Sequence, residues 1–209
     1  MESSIAQDHF LLISTSLKNA IGFLSKKEYS ALNSAQVSLF KEAYRELNRL
    51  RASLDDLTLV SLSVRNIFEI YLILKHVRAD EKALHKWYGQ SHKDSKEIRD
   101  GFIRLMEKRN LDTAELRKMQ DFEDHNLAAS PFQSEHSFNM KILSEKYGHL
   151  DDYLLVYKLS SKLVHPSSMK VMVYDVLSEN TNYLNVVLEM GVHFTHELND
   201  YAVSVVTKA

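Results

Sequence analysis

Residues 57–74 read LTLVSLSVRNIFEIYLIL, a segment that is apolar on nearly every helical face. A helix with no polar face is stable only when other elements cover it from several sides. This points to an all-α, multi-helix bundle built around a buried central helix at about 54–77. Inside that apolar run stand Arg65, Asn66 and Glu69. Arg65 and Glu69 are four residues apart and so share one helical face. Buried charge is costly unless it is paired and hydrogen-bonded. The cluster is therefore either a structural ion pair or the polar floor of a site, and the sequence leaves both open.

Composition agrees with a helical reading. The chain has 5 glycines and 2 prolines in 209 residues, too few for the regular turns of an all-β fold. Its length fits one large domain, the reading preferred here, or two small ones. The net charge of −2 creates no general attraction for nucleic acid or membrane, although a local basic groove on a neutral protein is compatible with RNA. The absence of cysteine excludes disulfides, thiolate zinc sites and cysteine nucleophiles, and suits a reducing cytoplasm. The first residues, MESSIAQDHFLLISTSLKN, have no basic leader and do not read as a signal peptide. The longest uncharged runs fall short of the ~20 residues that cross a bilayer, so no membrane association is expected.

Periodicity and breakers mark out the helices in turn. The first is expected at about 5–25 and the second at about 35–52, with Ser34 as its N-cap. Ser53 and Asp56 resemble a capping box that opens the central helix. The region at about 78–138 is the most polar and is expected to be a mobile excursion from a single 1–209 domain. Within it, helices at about 80–88, 96–110 and 114–127 are separated by the polar stretch GQSHKDS (89–95) and followed by a loop at 128–138. Helices follow at about 139–147 and 149–164, then a helix or loop at 171–177. The last helix, about 181–207, carries a seam of Leu184, Leu188, Gly191, Thr195, Leu198, Ala202 and Val205. Small residues in that seam allow close helix packing, within the chain or across the homodimer that is expected here.

A second polar group lies late in the chain. Tyr153, Tyr157, Ser160 and Ser161 fall along one helical face, and His165 stands at the helix end before Pro166. There an imidazolium gains from the negative end of the helix dipole, a setting that suits a general acid or base and equally a C-capping histidine. On the last helix, Glu189, His193, His196, Glu197 and Asp200 have ligand-like spacing, but a lone helix is a poor coordination shell. They are read as a solvated face. Arg78 and His85, separated by six residues, nominally match the pattern of helical ribonucleases in which four to six residues lie between Arg and His, a match that ten histidines produce readily by chance. No metal site, cofactor motif or phosphate-binding glycine loop is read from the sequence.

The stretches SLSVRNIFEIYLILKHV (61–77) and YKLSSKLVHPSS (157–168) together resemble the signature blocks of an uncharacterised bacterial all-helical family. That family pairs an Arg-x-x-x-Glu helix with a late Tyr-x-x-Ser…His segment. More distantly, the chain resembles the HEPN superfamily of helical bundles, many of them toxins or phage-defence ribonucleases. The two blocks cover 29 of 209 residues. The resemblance implies Arg65, Glu69, Tyr157, Ser160 and His165 as site residues. The chain departs from the HEPN nuclease pattern, because no arginine with a polar follower stands four to six residues before His165.

From the sequence, then, the expectation is a cytoplasmic, defence-associated interaction or ligand-binding protein. Arg65, Glu69 and His165 form its polar centre, and Asn66, Tyr157, Ser160 and Ser161 contribute to ligand binding. The ligand is an unidentified protein or small molecule, and no cofactor is expected. The alternative is a metal-independent endoribonuclease in which Arg65 stabilises phosphorane charge and His165 moves a proton.

Overall fold

The computed structural model describes residues 3–133 and 135–207. Among them the protein is all-helical, with nine α-helices and no strand. These are α1 (Ser3–Leu24), α2 (Ala31–Ala52), α3 (Leu57–Ala79), α4 (Glu81–Lys108), α5 (Ala114–Ala129), α6 (Met140–Lys146), α7 (Leu150–Val164), α8 (Ser168–Glu179) and α9 (Thr181–Thr207). They fall into two compact units. One comprises the described residues up to Lys75 and from Met140 onward, and the other comprises His76–Asn139.

In the first unit α3 is the central helix. Leu57, Val60, Val64, Ile67, Phe68, Tyr71, Leu72 and Leu74 are each at most 2% exposed. By length and composition α3 alone among the described helices is apolar enough to cross a membrane, yet 61% of its most apolar stretch is buried within the protein. Its apolar character is thus accounted for by core packing. Helix α1 packs on α2 and α9, while α7 contacts α6 and α8. Phe68 of α3 meets Phe194 of α9 with ring centres 4.4 Å apart.

The seam on α9 is used inside the chain. Leu188, Thr195, Leu198, Ala202 and Val205 are buried. A Cβ placed on Gly191 would come within 2.9 Å of Val64 Cγ2 and 3.6 Å of Leu50 Cδ2. Glycine is required there by close helix approach. A homodimer would therefore have to use a different surface.

Several boundaries differ from the sequence reading. Ser34 lies inside α2, and the N-cap is Ser30, whose hydroxyl accepts from Asn33 N–H at 3.1 Å. Ser53 and Asp56 do not form a capping box. Ser53 closes α2, while the Asp56 carboxylate alone caps α3 by accepting from Thr58 and Leu59 N–H at 2.8 and 3.0 Å. VMVYDVL lies within α8, which Ser167 caps.

In the second unit, GQSHKDS is no break: α4 runs through it. Gly89 is there because a Cβ would lie 1.9 Å from the Gln133 carbonyl oxygen of the 130–139 segment. That segment is further tied down by the Glu135 N–H, which donates to Gly89 C=O at 3.2 Å. The glycine serves a backbone approach, not a chain reversal. Arg99, 7% exposed, joins α4 to α5 through Glu123 and through Asp124 at 3.8 Å.

Candidate functional site

The apolar fold of α3 leaves one polar strip facing α7. Arg65 Nε donates to Glu69 Oε1 at 2.8 Å, and both side chains are 24% exposed. The pair is therefore half-buried, not sealed in the core. The Arg65 guanidinium carbon lies 4.2 Å from the centre of the Tyr157 ring. Tyr157 in turn stacks on Tyr153, one turn earlier on α7, at 4.9 Å with planes 25° apart. Burial pushes the Tyr153 phenol above its usual range; Tyr157 and Glu69 add to this and Arg65 opposes it. Among the described residues, the two terminal nitrogens of Arg65 have no protein partner.

The other residues anticipated for this site have different roles. Asn66 turns toward α2, where its Nδ2 donates to Glu46 Oε1 at 3.0 Å. Glu46 is 3% exposed and also binds Arg49, so Asn66 serves a buried structural network. Ser160 is fully buried and donates to the Tyr157 carbonyl at 3.2 Å. Ser161 is half-buried. His165 is exposed at the C-cap of α7, beside the turn that leads to α8. Eight residues separate it from Tyr157, about 12 Å along a helix axis. Arg65, Glu69, Tyr153 and Tyr157 are thus brought together, and His165 is set apart from them along α7.

A different histidine approaches this part of α3. His149, the N-cap residue of α7, presents its ring edge-on to Phe68, Tyr71 and Phe194, with centres 6.1, 5.7 and 6.3 Å away. Its Nδ1 lies 2.9 Å from Asp152 Oδ2. His193 of α9 is close by: His149, Asp152 and His193 each offer one ligand atom within 4.8 Å of the others. These are the described residues that could hold a metal ion. Sequence reading found His193 but had no signal for the pairing with α7, beyond the i,i+3 spacing of His149 and Asp152.

Other members of the α9 polar face are also engaged. Glu197 accepts a hydrogen bond from the Tyr71 hydroxyl, which itself accepts from Lys75 Nζ at 2.9 Å. Burial, followed by the Glu197 hydrogen bond and charge, holds the Tyr71 phenol protonated well above its usual range. His196 lies 4.7 Å from the ring of His9, whose Nε2 is 3.0 Å from Thr195 Oγ1. Burial and the neighbouring His196 push the His9 imidazole down, against a backbone hydrogen bond at Val192.

In the second unit His85 lines a cavity of about 430 Å³ with Glu81, Lys82, Lys86, Pro131, Gln133 and Glu135. Its ring packs edge-on against Phe132 at 5.1 Å. No protein-family model, curated protein or solved structure matches this chain.

Proposed function

We propose that the protein is a helical binding protein that captures an anionic group, a carboxylate or a phosphate, on Arg65. The observation that carries this reading is how the Arg65 guanidinium is held. Its Nε is committed to Glu69 and its carbon sits over the Tyr157 ring, while its terminal N–H groups remain uncommitted at a half-buried position. A guanidinium fixed in this way loses little freedom on binding and presents a planar fork suited to two oxygens of one anion. Glu69 orients Arg65, and Tyr153 and Tyr157 supply aromatic surface for an adjoining planar or apolar group. The two sequence blocks support the finer attribution to a HEPN-like, defence-associated protein of the bacterial cytoplasm.

A thermal-shift comparison tests the reading. Purified protein is heated with inorganic phosphate, 5′-mononucleotides and short dicarboxylates, alongside Arg65→Gln. One ligand class should raise the melting temperature of the wild type and leave the variant unmoved. A ligand at 100 times its Kd adds about 2.7 kcal/mol of stability. Equal shifts in both proteins, or none with any probe, count against Arg65 as the anion site.

The alternative, a metal-independent endoribonuclease, needs Arg65 and His165 at one phosphodiester. The separation of His165 along α7 favours binding over cleavage. RNA incubated with the protein and excess chelator should stay intact. Cleavage that disappears in His165→Ala would reinstate the enzyme, because an acid/base role contributes about 10²–10⁴-fold.

A further inference from the structure

We propose that His149, Asp152 and His193 form a binding site for one divalent late first-row transition-metal ion, with Zn²⁺ as the probe. The inference stands apart from the anion-binding reading of Arg65. Two imidazoles and one carboxylate are a donor set that suits zinc and its neighbours, whereas calcium and magnesium take all-oxygen shells. The three ligand atoms lie within 4.8 Å of one another, so a central point is at most about 2.8 Å from each, against the about 2.0–2.2 Å of zinc–ligand bonds. Side-chain adjustments of less than about an ångström close that gap. The 2.9 Å between His149 Nδ1 and Asp152 Oδ2 is about half an ångström short of the about 3.3–3.6 Å between adjacent ligands of a tetrahedral zinc ion, a small opening for two side chains to make.

The surroundings fix one of the ligands and leave the other two adjustable. Gly148, at φ +79°, makes the turn from α6 into α7, and the His149 N–H then donates to the Ser144 carbonyl at 2.8 Å. Three aromatic rings surround the edge of the His149 imidazole, whose side chain is only 14% exposed. Such packing holds the ring orientation that a ligand needs. Asp152 stands in the first turn of α7, and its contact with the His149 Nδ1 gives way when both atoms bind the ion. His193 is exposed on α9, its ring 5.2 Å from that of Phe194, which is fully buried and sets the rotation of that helix. Three protein ligands with one of them at the surface leave a coordination position open to water or a small ligand, the pattern of reactive rather than purely structural zinc sites.

The bland reading is an ordinary helix-start pair of His149 and Asp152 with His193 merely nearby. Equilibrium dialysis of the tag-free, full-length protein against Zn²⁺, with metal content measured per chain, separates the two. The expected result is one equivalent of zinc at micromolar free metal, retained in excess Mg²⁺. His193→Ala and Asp152→Asn should each weaken binding at least about tenfold, the lower end of the loss seen when even outer-shell partners of a metal are removed. His193 is exposed, so its alanine variant keeps the fold. His125→Ala, on exposed α5, should bind as the wild type does. Three results overturn the proposal: no stoichiometric uptake by the wild type, uptake unchanged in His193→Ala, or equal weakening in His125→Ala. The last would mean zinc scattered over surface histidines.

Discussion

The guanidinium carbon of Arg65 lies over the ring of Tyr157, 4.2 Å from its centre. This contact places α3 against α7 and gives the Arg65–Glu69 pair a neighbour across the helix interface. Because Arg65 and Glu69 are each about a quarter exposed, water screens part of their attraction. Glu69→Ala should therefore cost about 0.5–1 kcal/mol. Arg65→Ala should cost more, about 1–2 kcal/mol, since it also loses the stacking on Tyr157. Urea denaturation of both variants checks the order. Equal losses would mean that the ring contact adds nothing.

Asn66 supports a more deeply buried charge. Asn66→Ala removes a donor from Glu46, a carboxylate that is 3% exposed. The expected loss is about 1–3 kcal/mol, the cost of leaving a buried acceptor short of a partner. Ligand binding at Arg65 should be unchanged in this variant. A loss of binding at full stability would restore Asn66 to the site.

The two close-approach glycines predict different failures. Gly191→Val drives a side chain into Val64 and Leu50 and should cost about 1–3 kcal/mol by overpacking, read as a lower melting temperature. Gly89→Ala meets the Gln133 backbone oxygen, so it should release the 130–139 segment from α4 and raise amide exchange there. Unchanged exchange protection at Glu135 would contradict this contact.

His9 sets a pH dependence. Its imidazole is pushed below the usual value by burial and by His196, so the unfolded chain takes up a proton more readily than the folded one. The associated stability is present above about pH 6.5 and is lost as pH falls through the depressed folded value. Melting temperature should therefore fall on acidification from neutrality, and His9→Gln should flatten that fall. An identical profile for the variant would remove His9 as a contributor.

The central helix was legible because an all-apolar stretch of that length has few places to go but a core. The bundle class followed from it and from the scarcity of glycine and proline. What was not legible depended on which helices meet. Gly89 and its polar neighbours look like a chain break, yet the glycine answers to the backbone of Gln133, 44 residues away. Asn66 looks like part of the Arg65 cluster, yet the rotation between adjacent helical positions turns it toward Glu46. The register of α7 on α3 decides which histidine approaches the centre. His149 packs against Phe68 and Tyr71 of α3 and His165 is exposed at the far end of α7, whereas local sequence draws attention to His165 because of Ser-Ser and His-Pro. The α9 histidines are exposed, as a solvated face expects, but local sequence could not show that His193 lies beside His149 and Asp152 of α7 or that His196 meets His9 of α1.

The most direct test of the account is a binding titration of the wild type with a 5′-mononucleotide and with a dicarboxylate, followed by tyrosine fluorescence and repeated on Arg65→Gln and Tyr157→Leu. Capture on the held guanidinium predicts saturable binding of one ligand class at one site per chain. That binding should be abolished in Arg65→Gln, and weakened about two- to thirtyfold in Tyr157→Leu through loss of a stacking contact of about 0.5–2 kcal/mol. Saturable binding that is unchanged in Arg65→Gln, or the absence of saturable binding with both ligand classes, would contradict it.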